Sequence, residues 1–429
     1  MKRTLLLVSL VLALSITMAS SAFASSAPAT RSWTFMVFLN ADNNLDRYGI
    51  KDVQEMEKAG LSDKINVLVL LDRENLPGRL YDVTGRSASD KADDWGLTSK
   101  KIKDMGEPDM GDYRVMVDFV KTAAERYPAE NYMLVIWNHG AGWIRGKKGP
   151  VFKGISYDDE SGNNMTTRDL GIAMAQIQGI LGKPLDVLGM DACLMQMIEV
   201  AYEVRENVKY ICASEETEPG DGWPYDLLLG PVVKNPATTS EELVKLAASA
   251  YQKYYASYVE EPERKRKSRA KDSTQSAIDC SKLEAFAGAL DNFSQALIEI
   301  IPTGAKACEP LRKARSEVQS FYYSDNIDLG HLVKLVLNYS TDSKVKDAAE
   351  KLLMAYSRLV MYNGTSGGLK DASGLAIYFP KDYFSTDYAS LKYSAHIWDD
   401  MVKAFLATKP VFDENSGEYP DEQSPDDLR

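Results

Sequence analysis

Two residues of this chain have the types and the setting to act together on a carbonyl group. Cys193 closes the stretch Gly189-Met190-Asp191-Ala192-Cys193, and His139 sits in Trp137-Asn138-His139-Gly140; each stretch follows a short apolar run. A thiol is a strong nucleophile as its thiolate, and an imidazole that titrates near neutrality can take the thiol's proton or give one to a leaving amine. Gly140 has no Cβ to hold off a substrate carbonyl, and its N–H together with that of Cys193 could bind an oxyanion, a contact often worth about 3 kcal/mol. Leu194, Met195, Ile198 and Ala201 follow with helical spacing, so Cys193 is expected to open a helix whose dipole favours the thiolate. The competing reading of such a pair is a small buried thiol and a turn histidine.

Other motifs fare worse. Gly364-Thr365-Ser366-Gly367-Gly368 spells G-x-S-x-G, but a nucleophile elbow needs a strand before it and a helix after, and the pattern here is the reverse. The stretch 142–147 resembles a phosphate loop, yet Ala141 stands where its first glycine belongs and Lys148 replaces the Ser/Thr. His139, His331 and His396 are scattered, and neither H-E-x-x-H nor C-x-x-C occurs, which argues against zinc. The block 40–46 alternates oxygen-bearing side chains but lacks the glycine and distal Glu of an EF-hand loop, so it reads as helix capping.

The elements that must position Cys193 and His139 are legible as alternation. Apolar runs at 33–39, 65–71, 132–137, 185–190 and 210–213 read as buried strands, and amphipathic stretches lie between them. Thr166-x-x-Asp169 is a capping signal ahead of one such helix, and a long helix is expected after Thr239. Further helices are expected to about 300 and 362, with strands at 276–278 and 375–379. Continuous apolar strands alternating with helices predict an α/β fold, a mostly parallel sheet covered on both faces with a C-terminal, largely helical extension. Such sheets place ligand sites at the carboxyl ends of their strands, so the third and fourth strands would bring His139 and Cys193 together across 54 positions.

Composition limits the function classes. The chain has 429 residues, 45% hydrophobic and 26% charged, with a net charge of −12, which suits a folded protein and disfavours a nucleic-acid partner. Four cysteines are too few for a disulfide-built scaffold; whether Cys280 and Cys308 pair is left open. Lys2 and Arg3, the apolar run 5–16 and Ala22-Phe23-Ala24 describe an export signal over 1–24, so the mature protein is expected to be secreted or periplasmic, without a membrane span. The expected organisation is a catalytic core at 25–259, a charged exposed linker at 260–273, a C-terminal α/β part packed on the core at 274–411, and an acidic disordered tail at 412–429.

The two strand exits, the block Leu39-Asn40-Ala41-Asp42-Asn43-Asn44-Leu45, the stretch 213–223, and the segments Ile327-Asp328-Leu329 and Gly374-Leu375-Ala376-Ile377-Tyr378-Phe379-Pro380 together resemble the clostripain family of cysteine peptidases, from about Trp33 to Ala407. The resemblance implies a caspase-like α/β/α sandwich that cuts protein or peptide chains after Arg or Lys, with Cys193 as nucleophile and His139 as its partner in a dyad. It also implies that Asp191 forms the base of the specificity pocket and Asp221 its second acidic wall. A guanidinium entering such a pocket would supply the charge-assisted partner that buried carboxylates need. Family members are made as zymogens cut between the histidine and cysteine strands, which points to Lys147, Lys148 or Lys153. No cofactor is needed for the chemistry; some relatives require calcium, for which this sequence offers acid-rich loops such as 157–160 without assigning ligands. The alternatives are an inactive caspase-fold binding or adhesion protein, and a relative with different side-chain specificity. Intact Cys193, His139 and Gly140 weigh against the first, and an acidic pocket, which repels Asp and Glu side chains, weighs against the second.

Overall fold

The computed structural model of the chain describes residues 29–408 apart from 61, 88, 144–153, 261–271 and 304. The export signal expected at 1–24, the processing candidates Lys147, Lys148 and Lys153, most of the 260–273 linker and the 412–429 tail lie outside the described residues.

The strands are β1 (Arg31–Ala41), β2 (Ile65–Arg73), β3 (Leu76–Asp82), β4 (Lys100–Gly106), β5 (Ala129–Trp137), β6 (Ile155–Asp158), β7 (Asn163–Met165), β8 (Leu185–Asp191), β9 (Val208–Ala213), β10 (Thr274–Asp279), β11 (Asn326–Asp328), β12 (Val360–Thr365) and β13 (Ala376–Tyr378). The helices are α1 (Asp46–Lys58), α2 (Tyr113–Arg126), α3 (Thr167–Leu181), α4 (Ile198–Val204), α5 (Tyr225–Lys234), α6 (Ser240–Glu260), α7 (Leu283–Ile300), α8 (Ala305–Glu317), α9 (Leu329–Tyr339), α10 (Ser343–Leu359) and α11 (Trp398–Ala407). One nine-stranded sheet runs β12-β10-β9-β8-β5-β1-β2-β3-β4. Its centre, from β9 to β2, is parallel, and both margins are antiparallel.

The centre forms because its strands are apolar on both sides. In β1, Trp33, Phe35, Val37 and Leu39 pack with α1, α5 and α6, while Met36 and Phe38 pack with α2, α3, α4 and the C-terminal helices. Two buried faces are the condition under which parallel strands lose their polar alternation. The result is an α/β/α sandwich. Thr166 and Asp169 form a reciprocal capping box at the start of α3, satisfying two backbone N–H groups that have no helical partner.

The C-terminal part differs from the expectation in detail. The helix expected to reach about 362 ends at Leu359, and Val360–Thr365 continues as β12, paired antiparallel with β10. Val360, Met361 and Tyr362 are strand formers, and the edge of β10 offers them hydrogen-bond partners that a helix end does not. The strand expected at 375–379 is β13, which pairs with β11 outside the main sheet. All four cysteines, Cys280 and Cys308 included, are free thiols. Among the described residues no helix is long and apolar enough to cross a membrane.

Candidate active site

Parallel pairing sets Leu39 beside Trp137 and Trp137 beside Asp191, so β1, β5 and β8 release their chains on one edge of the sheet. His139 and Cys193 each lie two residues beyond their strand. The two exits meet at Gly140: a Cβ there would lie 2.3 Å from the carbonyl oxygen of Cys193 and 3.1 Å from the Ala192 Cβ. The glycine is therefore required by the contact between the exits, whatever room it also leaves for a ligand.

His139 is oriented by a residue that sequence reasoning passed over. Its Nε2 lies 2.7 Å from Asn44 Oδ1, an atom that only accepts, so Nε2 carries the hydrogen and Nδ1 keeps its lone pair. Burial lowers the imidazole's pKa, which holds the ring neutral at pH 7. Asn44 belongs to the 40–46 block read as helix capping, and it reaches His139 because β1 is the sheet neighbour of β5. The amides of Asn40, Asn43 and Asn138 donate to the Tyr157 carbonyl at 2.9–3.0 Å, which fastens β6 across the β1 and β5 exits.

Cys193 does not open a helix. α4 starts only at Ile198, and Leu194 has φ +64°, which ends any helical path from the thiol. Leu194 N–H donates to the Glu216 carbonyl, Gln196 N–H to that of Ser214, and Ala376 N–H to that of Gln196, so this segment is stitched like a strand. The spacing of Leu194, Met195, Ile198 and Ala201 records burial, not helicity. With no helix dipole, desolvation governs the thiol: it pushes the Cys193 pKa up to about 11, helped by Glu216 and Asp191 and opposed by the Glu218 N–H, whose nitrogen is 3.2 Å from Sγ. Among the described contacts no hydrogen bond joins His139 to Cys193; each has another partner. Alkylation of Cys193 by iodoacetamide, followed by mass spectrometry on the uncut chain, should therefore rise about tenfold per pH unit from 7 to 10, because only about 1 in 10⁴ of the thiols is ionised at pH 7. A plateau reached below pH 8 would contradict the raised thiol pKa.

Beside the thiol lies a group of carboxyls. Asp191 is buried and accepts hydrogen bonds from Trp223 N–H (3.1 Å) and the Tyr225 hydroxyl (2.9 Å). Burial raises its pKa to about 6, although the Glu218 carboxyl, Trp223 and Tyr225 all favour its anion. Burial, with the charge of Asp191 adding to it, pushes the Glu218 pKa well above the usual carboxylate range. Asp52, also raised by burial, accepts from Trp137 Nε1 at 2.7 Å. Gly222, at φ +62°, folds over both acids: a Cβ there would sit 3.0 Å from Asp52 Oδ2 and 3.3 Å from Asp191 Oδ2. Asp221, expected as the second acidic wall, pairs with Lys51 at 3.2 Å, and Lys51 also lies 3.6 Å from Glu55. Asp52, Glu55, Glu218 and Lys51 were not singled out from the sequence. Asp52 left a signal, since it falls on the buried stripe of α1 with Gly49, Val53 and Met56, where a carboxylate needs a reason.

A second acidic group stands on the same sheet edge, beyond Asn44. Asp42, Asp72 and Glu107 bring carboxylate oxygens within 4.8 Å of one another. Burial lifts Asp42 to about 7 and Asp72 to about 9, with neighbouring carboxylates adding to both shifts.

The chain is similar to known proteins over most of its length. The model of the clostripain family matches residues 37–405. Clostripain of Hathewaya histolytica is 26% identical over 415 residues, spanning 84% of this chain and 77% of that protein. A secreted C11 cysteine protease from Bacteroides thetaiotaomicron, solved with an irreversible peptide inhibitor, shares 22% identity with a TM-score of 0.64, over 87% of this chain and 99% of that one. An inactive zymogen C11 protease from Parabacteroides distasonis shares 20% with a TM-score of 0.61, over 87% and 99% respectively. The likeness to these two structures is one of fold.

Proposed function

This chain belongs to the clostripain family of cysteine peptidases, and from that premise we propose that it is an exported endopeptidase that cuts after Arg or Lys, is made as a zymogen and is activated by self-cleavage within 144–153. The observation that carries this reading is the gathering of Asp52, Glu55 and Glu218 about Asp191, two residues before Cys193, with Lys51 paired to Glu55 and Asp221 at its margin. A substrate guanidinium or ammonium entering beside Asp191 would give the buried anion a charged partner that it lacks among the described residues.

In this reading Cys193 passes its proton to neutral His139, and the thiolate attacks the scissile carbonyl. The oxyanion is held by the N–H groups of Gly140 and Cys193. His139 then protonates the leaving amine, and water, deprotonated by the same imidazole, releases the acid product from the thioester. The un-ionised thiol, which makes no hydrogen bond to His139 among the described contacts, fits a latent state that cutting the 144–153 loop would relax. Exported, it would act on protein or peptide substrates outside the cytoplasm.

The test is a panel of fluorogenic peptides ending in Arg, Lys, Asn or Asp, with gels of the enzyme run alongside. Turnover confined to Arg and Lys, appearing with internal cleavage, supports the proposal; turnover after Asn or Asp, or none after deliberate nicking of 144–153, overturns it. Within the same assay, Asn44→Ala should lower kcat about tenfold and leave KM unchanged, because it frees the imidazole without touching bound substrate. A rise in KM alone would place Asn44 in substrate binding instead.

A further inference from the structure

We infer, on the peptidase reading given above, that Lys51 is a tethered competitor for the substrate's cation: its ammonium occupies Asp221 at the mouth of the acidic group, and the side chain of the cut Arg or Lys must displace it. Helix α1 and the loop 219–223 run against each other at successive positions. At the inner one, a Cβ on Gly222 would lie 3.0 Å from Asp52 Oδ2 and 3.3 Å from Asp191 Oδ2. One residue earlier in each segment, Lys51 Nζ donates to Asp221 Oδ1 at 3.2 Å. Earlier still, a Cβ on Gly220 would lie 3.1 Å from the ring of Tyr48. Asp52 and Asp191 are buried, whereas the side chain of Asp221 is 11% exposed and that of Lys51 40%. The ion pair therefore lies on the solvent side of the two buried acids.

Lys51 is built to yield. An ion pair this open to water changes an equilibrium only a few-fold, and the four-carbon stem of lysine turns freely. Glu55, one helical turn further along α1 and 3.6 Å from Nζ, is a second acceptor, so the ammonium can leave Asp221 without any backbone movement. Burial works against the charge of Lys51, but Asp221, Glu55 and Asp52 together raise its pKa, so it stands as a full cation in the path of another. The loop does not depend on it. Tyr255 donates its hydroxyl to the Gly222 carbonyl at 2.7 Å, Gly222 N–H donates to the Pro219 carbonyl, and Trp223 N–H donates to Asp191. Removing the ammonium should leave the acidic walls in place.

A competitor carried by every molecule lowers the apparent affinity for substrate by the fraction of time that Asp221 is open. It acts on binding and not on the bond-breaking steps, so its effect belongs in KM. A loop support would behave differently: its loss would misplace Asp191 and Asp221, weakening binding and slowing turnover together.

The experiment compares the full chain with Lys51→Met, which keeps the stem and removes the charge, and Lys51→Arg, which keeps the charge. On Arg- and Lys-ended peptides, Lys51→Met should lower KM about fivefold with kcat altered less than about twofold, while Lys51→Arg stays within about twofold of the unmodified protein. In a Cys193→Ala background, where no turnover enters the readout, benzamidine is titrated calorimetrically; its Kd should fall by a similar factor in Lys51→Met. Adding Asp221→Asn should cancel the gain, and about 0.5 M NaCl should shrink it below about twofold. An unchanged or higher KM in Lys51→Met, a lower kcat, or benzamidine bound by neither protein would overturn the proposal. If Arg and Lys peptides are still cut in that event, only the role of Lys51 falls; if turnover is confined to Asn or Asp peptides, or is absent, the peptidase reading falls with it.

Discussion

Cys193→Ala is expected to lower hydrolysis of Arg- and Lys-ended peptides by a factor of about 10⁴ or more, and to end internal cleavage of the chain, while leaving its melting temperature within a degree or two. The size follows from the chemistry: the acyl-enzyme cannot form without the sulfur, and His139 in its place could act only on water. The stability expectation follows from the packing. Sγ accepts from the Glu218 N–H at 3.2 Å and lies 3.9 Å from the Glu218 carbonyl oxygen, at a partly exposed position, so alanine removes little. Residual turnover above about one part in a hundred of the unmodified protein, on the same gels and peptides, would remove Cys193 from the role of nucleophile.

Asp191→Asn should be nearly as damaging, but selectively. The amide retains the size and the acceptor of the carboxylate, so the bonds from Trp223 N–H and the Tyr225 hydroxyl can survive, and only the charge is lost. Cleavage after Arg should fall about 10²–10³-fold in kcat/KM, whereas alkylation of Cys193 by uncharged iodoacetamide should change less than about threefold. Equal losses in both would mean that Asp191 only supports the loop. The unmodified enzyme carries the same test in its pH profile. The Asp191 pKa is raised to about 6, so its charge is present above that pH and is lost on acidification; kcat/KM for Arg peptides should decline through pH 6.

What the sequence made legible depended on burial. The five central strands stand out because a parallel strand between two helical layers is apolar throughout, as in β1 and β8. β3 and β4 did not: LPGRLYD buries Arg79 and Asp82 among its apolar residues and so shows no apolar run, and KKIKDMG lies at the sheet edge with little to bury. The exits carrying His139, Gly140, Asp191 and Cys193 follow directly from strand order, whereas the local geometry at the thiol does not. Periodicity sees only which residues are inside, and the positive φ of Leu194 leaves no mark in it. Residues acting from other elements were the least visible. Asn44, Asp52 and Glu55 reach the site across the sheet neighbours β1 and β5, and no local motif announces a contact made through strand order.

The pairing of β5 with β8 has a mechanical consequence for a chain cut within 144–153. Everything before the cut ends at β5, everything after it includes β8, and these strands are joined along Met133–Trp137 and Val187–Asp191 in the middle of the sheet. The two pieces would share one seam, with Met36 and Phe38 from one piece buried against Leu188 and Met190 from the other. Neither piece has a complete core, so the cut would turn one chain into two chains that depend on each other, without a docking step. Two bands on a denaturing gel would run as one species in native filtration, and His139 and Cys193, one on each piece, would stay together only as long as that seam stays closed.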